Sequence, residues 1–305
     1  MTTKAPIADP VDIGKAASAA FLRLPDVPAL FARRAARFAA LAKGHPMEGF
    51  LLLMGRLAEA QADAVRALKP GGLPDAAEIE EAKKEGMPPL GGDGLLDGPQ
   101  WRDVLQAILK WVSVGGIPPE ARQVIAEIKS EAPEILDGRA RAVLSGDVPE
   151  LSRGAAVFIA AALQVRWASA ASMLATEGFQ ALDEGRRCPV CAAAPLVSVI
   201  GPAAEGQSTR YLHCRLCASS WNYVRIKCAA CGSTEGIAYH AIEGGDQAVR
   251  AETCEKCQGY VKILSTEKEP TLDPMADDIA TTGLDLMLAE AGWERPAPNP
   301  FLLTS

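Results

Sequence analysis

All eight cysteines of the chain stand in four Cys-x-x-Cys pairs: Cys188/Cys191, Cys214/Cys217, Cys228/Cys231 and Cys254/Cys257. Twenty-two residues separate Cys191 from Cys214, and twenty-two separate Cys231 from Cys254. Adding 40 to the first four positions gives the second four, and Arg210 falls on Arg250. An offset held at so many positions is an internal repeat of about forty residues. Each copy reads C-x2-C-x22-C-x2-C, close to the spacing of a four-thiolate metal site. Two cysteines three apart on a tight turn present both sulfurs to one point. A β-hairpin brings in the second turn, and four thiolates close a tetrahedron. Gly232, directly after Cys231, suits such a turn. A unit this small cannot build a sufficient apolar core, and bound metal supplies the missing stability, roughly 10–16 kcal/mol for structural zinc in small peptides. The spacing therefore predicts two metal ions per chain, zinc or iron. One sits on Cys188, Cys191, Cys214 and Cys217, the other on Cys228, Cys231, Cys254 and Cys257. A duplicated unit that closes its own site favours this pairing over a cross-braced one.

Other thiol chemistries fit less well. Thioredoxin-like redox pairs need a βαβ setting that this region lacks. A catalytic cysteine needs a base at hand, and the chain holds only His45, His213 and His240. His213 adjoins Cys214 and reads as pointing away from the metal. A closed four-cysteine site leaves no open coordination position, which disfavours metal hydrolysis. With zinc the sites are structural; iron would open a one-electron role.

The chain has 305 residues, 49% hydrophobic and 23% charged, long enough for two domains. Its net charge of -7 argues against a general nucleic-acid or anionic-membrane binder. The opening MTTKAPIADPVDIGKAASAAF lacks a basic stretch followed by an apolar one, so no signal peptide is read there. The most apolar segment, 151–174, is interrupted by Arg153 and Arg166, and its charge-free run from Gly154 to Val165 is far shorter than the ~20 residues of a bilayer span. It reads as a buried helix, so no membrane span is expected and the protein is expected to be cytoplasmic. The cytosol keeps thiols reduced, which favours metal sites over disulfides.

Helical periodicity predicts helices over 28–44, 47–69, 101–112, 119–130, 133–145 and 147–176, with a Gly/Pro-rich loop over 86–99. After Arg186-Arg187 the pattern changes to short β-like runs at 196–200, 210–214, 221–226, 236–242 and 260–264. Residues 275–292 read as helix with Asp277-Asp278 in its first turn, where carboxylates favour the dipole, and the end as extended chain. The fold class is α+β and multi-domain: a flexible N-terminus over 1–20, an all-α domain over 21–184, two tandem rubredoxin-like or zinc-ribbon modules over 185–266, and a C-terminal helix with an extended tail over 267–305. No catalytic constellation stands out. GGDG at 91–94 lacks the Lys-Ser/Thr and the strand of a phosphate loop.

The runs CPVC, RYLHCRLCASSWNYVRIKCAAC, AETCEKCQGYVKI, LDPMADDIATTGLDLMLAEAG and NPFL resemble the formate dehydrogenase accessory protein family, FdhE. The opening FLRLPDVPALFARRAARFAALAKGHPMEGFLLLMGRLAEAQ is similar to that family as well, so the resemblance spans Phe21 to Leu302. Ser219-Ser220 departs from the Thr-Glu common before the tryptophan. The resemblance implies a helical domain joined to a rubredoxin-like one with two metal sites. It also implies a cytoplasmic, non-catalytic role in maturing respiratory formate dehydrogenase through contact with its catalytic subunit.

That reading places Arg210, Tyr211, Trp221 and Arg225 at a partner-binding surface, since arginine and aromatic side chains dominate interface energetics. Two other functions compete with it. A nucleic-acid-binding zinc ribbon would use Tyr211, Trp221 and Tyr223 for base stacking and the local excess of nine cations over six anions between Arg186 and Lys262. A rubredoxin-like electron carrier would need iron.

Overall fold

The computed structural model describes residues 19–302, apart from 69–70, 148, 150–152, 203–207, 246 and 298. The flexible N-terminus expected over 1–20 falls almost wholly outside the described residues.

Among the described residues, seven α-helices form the first part: α1 (Val27–Ala42), α2 (Glu48–Ala67), α3 (Ala76–Lys84), α4 (Gln100–Ser113), α5 (Pro119–Ser130), α6 (Pro133–Ser145) and α7 (Arg153–Ala171). The α1–α2 hairpin closes over Phe31, Phe38, Leu51 and Leu57. On α4, Trp101, Val104, Leu105, Ile108, Leu109 and Val112 recur at helical spacing, and all are buried. The centre is α7, with sixteen of its nineteen residues buried. By length and composition alone it could cross a bilayer. Instead α2, α4, α5 and α6 enclose it, and its alanines let them approach closely. Arg166, buried on α7, donates from Nη2 to the carbonyls of Gly71 and Gly72 at 2.7 Å each.

Periodicity missed α3, whose AAEIEEAKK is too polar to show an apolar stripe. A reciprocal cap starts it: Asp75 accepts from Glu78 N at 2.8 Å, and Asp75 N donates to Glu78 Oε2 at 2.8 Å. The 86–99 segment is irregular apart from a 3-10 turn at Gly94–Leu96. It is nonetheless internal, with Leu90, Leu95 and Leu96 buried and Leu90 N donating to Val190 O at 2.9 Å.

The second part is a sheet of seven strands: β1 (Leu22–Arg23), β2 (Pro195–Pro202), β3 (Ser208–Cys214), β4 (Ser220–Asn222), β5 (Ile237–His240), β6 (Val249–Cys254) and β7 (Gly259–Ser265). Their order is β1-β4-β3-β2-β7-β6-β5. Under the forty-residue offset β2, β3 and β4 correspond to β5, β6 and β7. Each copy is a three-stranded antiparallel meander, so its first and last strands run the same way. Set side by side by translation, the copies join first strand to last, and β2–β7 is accordingly parallel while the other pairings are antiparallel. The tandem modules thus share one sheet. Charged Arg250 and Glu252 hid β6 from the sequence reading. Expected to reach residue 226, β4 stops at Asn222, because the chain then curls around Arg210, which donates to the carbonyls of Val224, Arg225 and Lys227.

The expected 275–292 helix is two, α8 (Pro274–Ala280) and α9 (Thr282–Glu290), broken at Thr281. Asp273 caps α8 by accepting from Met275 N and Ala276 N. Asp277 completes this cap, its Oδ2 accepting from Asp273 N at 2.7 Å, and both Asp277 and Asp278 are also buried ion-pair partners. Asp277 takes Arg37 of α1, with Nη2 at 2.6 Å. Asp278 takes Lys262 of β7 at 3.3 Å and Arg295 of the tail at 2.8 Å. Asp285 of α9 closes this cluster on the same two cations. Burial works against the Asp278 carboxylate, but the Arg295 and Lys262 charges overrule it and hold the carboxyl below its ordinary range.

Candidate metal centres

The eight cysteines gather into two groups of four, Cys188/Cys191/Cys214/Cys217 and Cys228/Cys231/Cys254/Cys257, with all sulfurs of a group within 4.8 Å of one another. Each group draws one pair from the turn before its meander and one from the hairpin between its second and third strands. In every pair the residue after the second cysteine is left-handed: Ala192 (φ 62), Ala218 (φ 58), Gly232 (φ 79) and Gln258 (φ 54). Three of these positions carry a Cβ, so glycine at Gly232 alone was legible as a turn signal. The turn aims backbone N–H groups at sulfur. Leu216 N and Cys217 N each lie 3.4 Å from Cys214 Sγ, and Ala230 N and Cys231 N lie 3.4 and 3.5 Å from Cys228 Sγ. Such bonds stabilise thiolate.

A tetrahedron with metal–sulfur bonds of about 2.3 Å has sulfur–sulfur edges of about 3.8 Å. The measured edges are 3.6 Å (Cys188–Cys217), 3.4 Å (Cys191–Cys214), 3.8 Å (Cys228–Cys257) and 3.7 Å (Cys231–Cys254). A disulfide would bring them to about 2.05 Å. Each group therefore fits one tetrahedral ion within its own repeat.

The two groups differ in setting. All four cysteines of the first are buried, whereas in the second Cys231 is half-buried and Cys257 is open to solvent. Burial pushes the Cys188 and Cys191 thiols well up, and the Cys214 and Cys217 sulfurs add to it. At Cys214 burial also opposes ionisation, but hydrogen bonds from the other three sulfurs and from Leu216 N–H win, so its thiol lies well below the ordinary range. In the second group partial desolvation of the Cys257 sulfur, together with the neighbouring Cys231 and Cys228 sulfurs, pushes its thiol up to about 12 although the residue reaches solvent. Four thiolates this close repel one another, and a cation at their centre removes the penalty.

His213 points away from the sulfurs, with Nδ1 2.9 Å from Ser220 Oγ. Burial holds it neutral, its pKa lowered to about 4. Ser220 thus occupies a departing position of the motif and is engaged by His213, while Ser219 Oγ lies 3.3 Å from Cys217 Sγ.

Three residues expected at a partner surface are interior. Arg210 is 2% exposed and salt-bridged to Glu252 at 2.9 Å, tying the first copy's β3 to the second copy's β6. Tyr211 is buried and donates to Ala20 O at 2.7 Å, with Arg23 stacked 3.8 Å from its ring centre. Trp221 is fully buried and donates to Gly185 O at 2.6 Å. These side chains seat the N-terminal segment and the connection into the sheet, so they are anchors and not contacts for a partner. Arg225 is exposed. Tyr223 is buried as well, which removes all three aromatic rings proposed for base stacking.

Sequence reasoning missed the Lys262–Asp278–Asp285–Arg295 cluster. The charges in LDPMADDIATTGLDL were visible, but their partners lie on another element.

Three family models match the chain: FdhE, N-terminal, over residues 19–184; FdhE, central domain, over 187–225; and FdhE, C-terminal domain, over 226–302. A protein named FdhE homolog from Rhizobium meliloti (strain 1021) is 35% identical over 97% of both chains. Another of that name from Pseudomonas aeruginosa is 37% identical over 90% of each. The crystal structure of the FdhE protein from Pseudomonas aeruginosa superposes with a TM-score of 0.83 at 33% identity, covering 92% of this chain and 98% of that one. Spacing, fold and likeness agree over nearly the whole length, and the chain belongs to the FdhE family of formate dehydrogenase accessory proteins.

Proposed function

We propose that this chain is a non-catalytic maturation chaperone that binds the catalytic subunit of respiratory formate dehydrogenase in the cytoplasm. The observation that carries this reading is the end-to-end family match, from residue 19 to 302 across three consecutive family models. The eight-cysteine framework supports it, because closed four-thiolate sites hold structure and offer no position for substrate. The client contact lies around Arg225, flanked by Val224 (61% exposed) and Ile226 (58% exposed) at the tip of the turn that Arg210 holds rigid. An arginine between two exposed aliphatics on a fixed turn presents charge and apolar area together.

Deleting the gene should abolish formate dehydrogenase activity while leaving the enzyme's transcript intact; unchanged activity would remove the proposal. Purified metal-loaded protein should capture the catalytic subunit, and Arg225→Glu should weaken that capture about tenfold. Capture unaffected by the charge reversal would move the contact elsewhere.

A second reading gives the solvent-open second centre a redox-sensing role. The exposure of Cys257 favours it. Metal content and the optical spectrum of anaerobically purified protein decide it: two zinc and no visible absorption leave both centres structural, whereas iron that bleaches reversibly makes the second centre a sensor.

A further inference from the structure

A cavity of about 340 Å³ opens where α6, both halves of the sheet and the C-terminal tail meet. Four arginines line it: Arg186, Arg187, Arg215 and Arg295. Two of them are answered locally. Arg186 pairs with Asp183 at 2.6 Å, and Arg295 with Asp278 and Asp285. Glu252, also in the wall, is committed to Arg210.

Arg187 and Arg215 have no carboxylate partner among the described residues. The Arg187 side chain makes no hydrogen bond there, and Arg215 donates only from Nη2 to Leu144 O, at 3.3 Å. A loaded first centre, four thiolates on a divalent ion, is a net dianion and answers part of this charge at a distance. It gives the N–H groups of Arg187 no acceptor. The opposite wall is apolar and aromatic, with Leu196, Val261 and Tyr260. Two guanidinium groups lining one concave, half-apolar space, Arg187 with no hydrogen bond and Arg215 with a single long one, suit a ligand that brings oxygen acceptors and a compact body.

We propose that this cavity binds a small molecule bearing a multivalent oxyanion, phosphate or carboxylate, held by Arg187 and Arg215. Cys228 of the second metal centre lines the same space, so the ligand sits beside that centre and bridges the helical part to both copies of the repeat.

The test is calorimetric titration of the metal-loaded full chain with inorganic pyrophosphate and, separately, with citrate, at ionic strength held constant by chloride. One saturable equivalent should bind at millimolar concentration or tighter. Binding of pyrophosphate alone identifies a phosphate site, of citrate alone a carboxylate site, and of both a general oxyanion site. Arg187→Gln removes an exposed, unbonded side chain, so it should fold with unchanged metal content and bind about tenfold more weakly. Arg215→Lys keeps the charge without the fork and should also weaken binding. Failure of both anions to saturate, or affinity unaltered in Arg187→Gln, overturns the site.

Discussion

The two cysteine groups are copies of one motif, yet they occupy opposite environments. The first is enclosed: its cysteines are buried, the Leu90 N–H bonds into its first turn at Val190 O, and Gln164 of α7 donates to Arg215 O in its second turn. The second lies past β7 with Cys257 exposed; the tail lies against it through Gly259 and Glu294, and its first turn is held by Arg186 donating to Ala230 O at 3.2 Å and Tyr223 Oη donating to Cys228 O at 2.9 Å. Duplication supplied identical ligand geometry, and the helical part then covered one copy. A metal centre of fixed chemistry acquires a structural or an accessible character from what packs on it.

That contrast can be broken most decisively at the ligands. Cys214→Ser opens a buried centre that the helical part packs against, so the loss should approach the roughly 10–16 kcal/mol scale of structural zinc and leave little soluble protein. Cys257→Ser should yield folded chain with one metal lost and the helical circular dichroism retained. Equal damage from both would show that exposure does not separate the centres.

Metal release sharpens the same point. Ligand thiols must be deprotonated, so affinity falls as pH falls and protons compete. Under chelator or progressive acidification the second centre should empty first, at least about tenfold faster, followed in time by inductively coupled plasma analysis. Simultaneous loss of both ions would contradict the difference in burial.

The link between the copies comes next in size. Arg210→Met strands Glu252 in the interior and should cost about 3–5 kcal/mol in denaturant unfolding, while Arg210→Met with Glu252→Leu should recover much of it. Burial already raises Glu252 against the pull of Arg210, so the single variant should be least destabilised at acid pH, where that carboxyl is protonated. The smallest effect is expected at Gln258, left-handed with φ 54. Gln258→Gly should stabilise by up to about 1 kcal/mol, and a loss would mean that its side chain does more than tolerate strain.

Much of the molecule was legible along the chain. The periodicity of α4, the prolines opening α5 and α6, and five of the strands were local signals. So was the pairing of ligands, because a 40-residue offset repeated at every cysteine can be counted. The elements that escaped lacked an apolar period. Helix α3 is held by a cap, and β6 carries charges whose partners come from elsewhere. The partner-surface reading of Arg210, Tyr211 and Trp221 failed for a related reason. An arginine is solvated by default, and nothing adjacent to Arg210 announces Glu252, forty-two residues away.

The sequence by itself determined the two four-cysteine groups and the repeat, since Cys-x-x-Cys turns impose their geometry over five residues wherever they are placed. Only the tertiary structure decided that the two repeats share one sheet, that one centre is enclosed and the other open, and that Arg187 and Arg215 face a common cavity unpaired. Those are properties of long-range burial, where the cost of an unanswered charge depends on which distant element arrives to cover it.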